Sequence, residues 1–368
     1  MPRPLWTSLT PVLAALLLAA TWGRHPGAAV LTLVAVVLVG AVLAAVHHAE
    51  VVAHRVGEPL GSLVLAVAVT VIEVALIITL MITADKDTSG LARDTVFAAV
   101  MISINGILGL SLLVSALKHH LAVFNPEGTG SMLATVVTLA TVCLVLPSFT
   151  MSEPGPVYTG PQLAFAAIAS LVLYGLFVFT QTIRHRDFFL PVDRDGETLG
   201  SGGHVDADDD GHADPPDNRT TAWSAGLLVV SLVAVVGLAK IVSPAIEDGV
   251  AAVGFPNAVV GVAIALLVLM PESIAAVRAA ARERVQVSLN LAFGSAMASI
   301  GLTIPTLAVA SIWLDGPLSL GLDNVQIVLL FLTVVVAILT VVPGRAKPLQ
   351  GGVHLVLLAA FIFLTIAP

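Results

Sequence analysis

Charge is what this sequence lacks most. Only 11% of its 368 residues are Asp, Glu, Lys or Arg, whereas 57% are hydrophobic. Soluble globular proteins carry about 25% charged residues, so this composition excludes a soluble domain and predicts a chain embedded in lipid. The sixteen Lys and Arg residues are scattered over short loops. No basic patch forms, and nucleic acid is therefore not expected as a partner.

Cysteine is equally scarce. There is one cysteine, Cys143, so an intrachain disulfide is excluded. It lies in an apolar run, which argues against redox chemistry.

Acidic residues outnumber basic ones, but ten of the 24 lie in one segment from Arg184 to Thr221. That segment is rich in Gly and Pro, and its DADDDGHAD run lacks the spacing of an EF-hand. We expect a solvated acidic linker there.

Long apolar runs are what the sequence has in abundance. A spanning helix needs about 20 mostly apolar residues, and Gly, Pro and charged clusters mark the breaks between runs. These rules predict an all-α integral membrane protein with about eleven transmembrane helices. The predicted helices are Leu5–Trp22, Ala28–His48, Leu60–Thr83, Asp94–Leu117, Ser131–Phe149, Pro161–Ile183, Trp223–Val242, Pro256–Arg278, Val285–Trp313, Asn324–Val342 and Gly351–Ile366.

The order of these helices predicts an internal repeat. Residues 1–24 form one extra N-terminal helix, 25–183 a first five-helix repeat, 184–221 an acidic cytoplasmic linker and 222–368 a second repeat. Because five is odd, the second repeat must enter from the opposite face of the membrane. Twelve of the sixteen Lys and Arg residues fall on one side. This bias predicts a cytoplasmic N-terminus and an external C-terminus in the cell's inner (plasma) membrane.

Two glutamates stand out because each lies inside a spanning helix. Glu73 is on the second helix of the first repeat, and Glu272 is on the second helix of the other. An intramembrane carboxylate is costly and usually functional. Inverted repeats that each carry such a group are typical of secondary transporters with a site at mid-membrane. The alternative is a pair of protonated glutamates that hydrogen-bond between helices, and we favour the functional interpretation.

Further oxygen ligands are needed if the glutamates hold a metal ion. Two carboxylates match the charge of one divalent ion, but Ca²⁺ takes six to eight oxygens. Pro271 removes a backbone donor and should free a carbonyl beside Glu272. The hydroxyl and amide candidates near the two glutamates are Thr70, Ser103, Asn105, Ser295 and Ser299. For each of them, packing between helices is an equally good explanation.

A second polar cluster lies in the run HHAEVVAHRVGE. His47, Glu50 and His54 fall on one helical face near the predicted cytoplasmic side, and Glu58 could extend the row. Histidine and glutamate suit both metal binding and proton uptake. A hydrated helix end explains the same residues without any ligand, and we favour that interpretation.

With these residues in place, the chain resembles the calcium:cation antiporter superfamily, in its cation/proton exchanger branch and closest to bacterial calcium/proton antiporters of the ChaA type. The stretches that carry the resemblance are Gly57 to Ile77, Arg93 to Leu113, Leu267 to Ser273 and Asn290 to Pro305. The resemblance implies Ca²⁺ export driven by protons, with Glu73 and Glu272 as the cation-binding residues. The Gly-Ser motif of the family falls on Gly294 and Ser295.

The sequence departs from the wider branch in one respect. That branch has a Gly-Asn pair shortly before each glutamate, whereas VTVI and VLMP precede the glutamates here. ChaA-type members are linked to Na⁺ and K⁺ exchange as well as Ca²⁺. The choice among Ca²⁺, Na⁺ and K⁺ therefore stays open, as does the oligomeric state.

Two other functional classes fit the sequence less well. An intramembrane metalloenzyme is disfavoured because neither glutamate has a histidine at comparable depth and the sequence has no HExxH motif. A passive channel is disfavoured because paired inverted repeats with single carboxylates suit alternating access better than a ring of charges. The expected protein is a transporter and not an enzyme, without a permanent cofactor. Its expected partners are inorganic cations, protons and the lipid bilayer.

Overall fold

The computed structural model describes residues 5–24, 26–57, 60–83, 88–192, 216–313 and 316–368. Within these ranges the chain forms eleven apolar helices, of which ten are long enough to cross a membrane and the first is shorter. This confirms the predicted all-α, multi-pass membrane protein. The helices are α1 Leu5–Thr21, α2 Ala28–Val56, α3 Leu60–Thr83, α4 Leu91–His119, α5 Pro126–Ser148, α6 Gly160–Arg184, α7 Asn218–Ala252, α8 Ala258–Ala280, α9 Val285–Ala310, α10 Asn324–Val341 and α11 Pro348–Ile366.

The largest differences from the predicted boundaries are in α2 and α7, and α9 differs by an interruption. Helix α2 continues past His48 to Val56, and α7 runs ten residues beyond the predicted end at Val242. The predicted break at SPAIEDG is wrong, because α7 passes through Pro244 without ending. In an apolar setting the groups that a proline frees can be satisfied by neighbouring helices and hydroxyl side chains. Helix α9 is interrupted at Leu302 and ends at Ala310, not at Trp313.

Three helices contain short π-helical turns that the sequence pattern did not predict. The first, Ile102–Ile107, lies in the middle of α4, where the backbone N–H of Leu108 donates to the carbonyl of Ser103 five residues earlier. The others are Thr141–Val145 in α5 and Thr180–Arg184 in α6. A π turn inserts one extra residue into a helix, and such turns are frequent at functional sites.

The structure divides into two compact units. Unit 1 contains the described residues of Met1–Leu91 and Asp206–Val260, which are α1, α2, α3 and α7. Helix α2 is its centre and packs most extensively on α7 and then on α3. The contact surface of α2 is lined by small residues, with Ala41, Ala44 and Ala45 fully buried. Small side chains let helix backbones approach closely, which is how helices associate in lipid.

Unit 2 contains the described residues of Ala92–Val205 and Gly261–Pro368. It therefore brings α4, α5 and α6 together with most of α8 and with α9, α10 and α11. Helix α4 is the most deeply buried of them and packs chiefly on α11, while α5 and α6 pack on α9.

Two short β pairings join loops of unit 2 that are far apart in sequence. Strand β1 (Ala122–Val123), between α4 and α5, pairs antiparallel with β2 (Arg345–Ala346), between α10 and α11. A single antiparallel bridge joins Val157, between α5 and α6, to Ser319, between α9 and α10. Each pairing ties a connection of the first half of the chain to a connection of the second half.

Candidate cation-binding site

Glu73 lies on the buried face of α3, within unit 1. Its side chain is 2% exposed, and Thr70, one turn earlier on the same face, is also buried. Val67 and Val71 on the opposite face are close to half exposed. The rest of the buried stripe is apolar and consists of Val69, Ile72, Leu76, Ile77 and Leu80. The hydrophobic period of α3 thus places a carboxylate on the side of the helix that faces protein.

Glu272 lies on α8, within unit 2. It is half-buried and continues a stripe of small and apolar residues formed by Gly261, Ala265, Val268 and Ala276. Pro271 lies inside the helix just before it. Because proline has no N–H, the carbonyl of Leu267 cannot receive the usual helical hydrogen bond. The predicted spare carbonyl is therefore one turn from Glu272.

The start of α8 is held against α4 by a close backbone contact. A Cβ added at Gly261 would lie 2.9 Å from the backbone nitrogen of Thr95 and 3.1 Å from the carbonyl carbon of Asp94. Asp94 is itself fixed, because its Oδ1 accepts from Arg93 Nε at 2.8 Å and from Gln326 Nε2 at 3.2 Å. Within unit 2, the helix that carries Glu272 is thus held at Gly261 by a fixed part of α4.

Asn105, a predicted ligand, has both polar atoms of its side chain engaged within unit 2. Its Nδ2 donates to Thr333 Oγ1 of α10 at 2.9 Å. Its Oδ1 is 3.0 Å from His354 Nδ1 of α11, and His354 Nε2 is 3.2 Å from Thr340 Oγ1. Since the amide nitrogen is used on Thr333, Oδ1 is the acceptor and His354 Nδ1 the donor. Asn105 thus ties the π turn of α4 to α10 and α11.

This geometry predicts that Asn105 positions helices and does not bind the ion directly. We expect Asn105→Ala to lower the free energy of unfolding by roughly 2–3 kcal/mol, because it leaves buried Thr333 and His354 without their partner. The check is denaturant unfolding in detergent micelles. Asn324→Ala, at the exposed start of α10, is the matched control and should change stability little. Unchanged stability together with a weakened apparent cation affinity would instead make Asn105 a ligand.

Ser103 lies in the same π turn but in a different situation. Its side chain is fully buried, and its Oγ has no hydrogen-bond partner among the residues that the structure describes. A buried hydroxyl without a partner is unusual and calls for an explanation. Of the two candidates in the π turn, Ser103 is thus the one with a free oxygen for an ion.

The remaining candidates on α9 lie within unit 2. Gly294 and Ser295 are half-buried, and Ser299 is buried. A Cβ added at Gly294 would meet no atom within 4 Å, so close packing does not explain this glycine. Among the described residues, Gly294 instead borders open space.

The HHAEVVAHRVGE row lies at the end of α2, apart from Glu58, which falls outside the described residues. His47 packs on Trp6 with ring centroids 6.4 Å apart, whereas Glu50 and His54 are exposed. Across the described part of the chain, no group of three or more His, Cys, Asp or Glu side chains could hold a metal ion. These positions agree with a hydrated helix end.

Two buried histidines were not among the predicted site residues. His48 is buried in unit 1, where its Nε2 is 2.9 Å from the carbonyl oxygen of Thr7, and His354 is buried in the Asn105 network. Neither has a sequence signal of its own, because the partners are 41 and 249 residues away along the chain. Both were visible in the sequence merely as histidines next to apolar runs.

Two curated transporters are similar to this chain along nearly its whole length. A putative ionic transporter, y4hA, of Sinorhizobium fredii is 42% identical over 99% of this chain and 97% of its own length. The sodium-potassium/proton antiporter ChaA of Escherichia coli is 32% identical over 97% of this chain and 95% of its own.

Two solved structures share the fold. Native YfkE has a TM-score of 0.70 at 14% identity and covers 99% of both chains. The H⁺/Ca²⁺ exchanger CAX has a TM-score of 0.70 at 14% identity and covers 98% of this chain and 87% of its own. The family model for the sodium/calcium exchanger protein matches residues 26–183 and 223–367. The chain therefore belongs to the sodium/calcium exchanger family, whose members are secondary cation transporters and not enzymes.

Proposed function

We propose that the protein is a cation/proton antiporter that exports Ca²⁺ in exchange for H⁺, with Glu73 and Glu272 as the shared cation and proton site. The observation that carries this proposal is the burial of Glu73 in the middle of an apolar spanning helix. Placing an ionised carboxylate there costs free energy, so such a residue is usually retained for a function. Its counterpart on α8 lies beside a proline that frees a backbone carbonyl.

Competition for two carboxylates is sufficient for exchange. Burial favours the protonated form of a carboxyl group, and an arriving cation favours the ionised form. One Ca²⁺ can therefore replace two protons at no change in the charge of the site. When access alternates between the two faces of the membrane, protons bound on one side are exchanged for a cation released there. Lowering the pH on the loading side should weaken cation binding, because protons then occupy the same oxygens.

The division into an extra N-terminal helix and two inverted repeats is part of the proposal. Under that division, the α4–α5 connection corresponds to α9–α10, and the α5–α6 connection corresponds to α10–α11. The two β pairings follow this correspondence. The α4–α5 connection pairs with α10–α11, and the α9–α10 connection pairs with α5–α6. Swapping the repeats converts one pairing into the other, which supports the proposed symmetry.

A second cation class is favoured by a specific observation. The E. coli relative at 32% identity is a sodium-potassium/proton antiporter by name. Two carboxylates could carry two monovalent ions as well as one divalent ion. Exchange of Na⁺ or K⁺ for H⁺ at the same residues is therefore the alternative to Ca²⁺.

Reconstituted vesicles with an acidic interior and a trapped pH dye test both possibilities. We expect external Ca²⁺ to raise the internal pH faster than Na⁺ or K⁺ at equal concentration, because two carboxylates match one divalent charge. Protein-free vesicles provide the baseline. A response to Na⁺ or K⁺ alone would establish the alternative, and baseline rates with all three cations would reject antiport.

A further inference from the structure

The loop between α10 and α11 borders a basic cavity that the transport proposal does not use. The cavity has a volume of about 390 Å³ and is lined by Leu121, Pro343, Arg345, Lys347 and Gln350. This volume lies within the roughly 300–1,000 Å³ of ordinary ligand pockets. All of its lining residues belong to unit 2.

The polar lining of the cavity consists of hydrogen-bond donors. Arg345 and Lys347 are exposed cations, and neither forms an ion pair with any residue that the structure describes. The Oε1 of Gln350 already accepts the backbone N–H of Lys347 at 2.9 Å, which leaves its NH₂ group as a donor. Two unpaired positive charges and an amide donor, with no acidic residue in the lining, select an anion.

The backbone holds these side chains in a fixed arrangement. Arg345 is in β2, in register with Val123 of β1, and the N–H of Phe124 donates to the carbonyl of Gly344 at 3.0 Å. Gly344 has a φ of +66°, and a Cβ there would lie 3.1 Å from Pro126. Only glycine suits this combination of positive φ and close contact. The cavity is therefore built on a paired strand and not on a loose loop.

Exposed apolar residues lie close in sequence to the two charges. Helix α10 ends at Val341 and α11 begins at Pro348, so the cavity lies at the level where two spanning helices end. Next to it in sequence, Val342 is 70% exposed and Leu349 is 76% exposed. An inorganic anion gains nothing from contact with an apolar surface, whereas a phospholipid has both a phosphate and acyl chains. Basic pockets between helix ends are known to take lipid head groups.

We propose that this cavity binds the head group of an anionic phospholipid, with Arg345 and Lys347 on the phosphate and Val342 and Leu349 beside the acyl chains. The site is independent of the proposed exchange reaction. A basic side chain near an anionic membrane surface contributes roughly a fivefold gain in affinity, so the pair contributes roughly 30-fold.

Native mass spectrometry of the detergent-purified full chain tests this site, with phosphatidylglycerol, phosphatidylcholine and inorganic phosphate titrated separately. We expect phosphatidylglycerol to bind the wild type more tightly than phosphatidylcholine, and R345Q/K347Q to lose roughly 30-fold of that preference. R282Q/R284Q is the matched control, because it removes two exposed arginines from the α8–α9 loop. Its preference should be unchanged. Melting temperatures of all three proteins verify that the variants are folded.

Three outcomes would overturn the proposal. One is an equal loss of phosphatidylglycerol in both double variants, which would indicate general surface charge. Another is wild-type binding that does not distinguish the two lipids. The third is displacement of phosphatidylglycerol by millimolar inorganic phosphate, which would make the cavity a site for free phosphate and not for a lipid.

Discussion

Glu73→Gln should reduce cation-driven proton movement in vesicles by about 100-fold or more, and Glu272→Gln should do the same. Glutamine keeps the approximate volume of the side chain and one oxygen that accepts hydrogen bonds, but its amide can neither carry the negative charge nor release the proton. Loss of one partner from a buried charged contact typically costs about 2–5 kcal/mol, which corresponds to factors of roughly 30 to several thousand. The measurement is the initial rate of pH change after addition of Ca²⁺, Na⁺ or K⁺.

The matched control for these variants is Glu153→Gln, which makes the same change in an exposed loop and should leave the rate unaffected. A measurement of unfolding stability distinguishes loss of cation and proton binding from loss of the folded structure. A neutral amide is cheaper to bury than a carboxylate, so Glu73→Gln should unfold at the same or a higher denaturant concentration than the wild type. A double variant should be no slower than either single variant if the two carboxylates act on one ion. Normal exchange by both single variants would contradict the two-carboxylate mechanism.

Gly351→Ala should destabilise the protein strongly, whereas Gly352→Ala should not. A Cβ at Gly351 would lie 2.6 Å from the backbone nitrogen of Leu113 and 2.7 Å from the carbonyl oxygen of Gly109. These are backbone atoms of α4, so the clash can be relieved only by moving α11 away from α4. Overpacking of this kind costs about 1–3 kcal/mol and sometimes more.

The neighbouring glycine provides an unusually close control. A Cβ at Gly352 would meet nothing within 4 Å, and alanine in a helix is favoured over glycine by up to about 1 kcal/mol. Because both changes are Gly→Ala within α11, this gain is common to both variants, and they should differ in unfolding free energy by the overpacking cost of about 1–3 kcal/mol, measured by denaturant titration in micelles. Separation of α11 from α4 would also displace His354 from Asn105, so the rate of exchange should fall in Gly351→Ala. Equal stability of the two variants would show that the α4–α11 contact is loose.

The sequence predicted the helices well because a spanning helix satisfies its backbone hydrogen bonds within itself. The apolar runs therefore carried nearly all the information, and α3 begins and ends at the predicted residues, Leu60 and Thr83. The main failure was Pro244. In a soluble protein a proline with nearby charges usually ends a helix, whereas in α7 the helix continues for eight more residues.

The candidate site was predictable only in part. Glu73 and Glu272 could be singled out as candidates because a charge inside an apolar run is visible along the sequence. The role of Asn105 could not, because its partners Thr333 and His354 are more than 200 residues away. The π turn in α4 was hidden for a related reason. ISINGI has no composition that distinguishes it from ordinary helix, and the turn is apparent only from the hydrogen bond between Leu108 and Ser103.

The pairing of β1 with β2 has a consequence for how the protein is made. Helices α4, α5 and α6 leave the ribosome well before α10 and α11, and β1 cannot pair until Arg345 and Ala346 have been synthesised. At roughly 5–20 residues per second, that wait lasts roughly 10–45 s. During this time Asn105 lies in the bilayer without Thr333 or His354. Nascent chains of this protein should therefore depend on the insertion machinery, or on polar lipid groups, to satisfy the hydrogen bonds of Asn105 in α4 until α11 has been inserted.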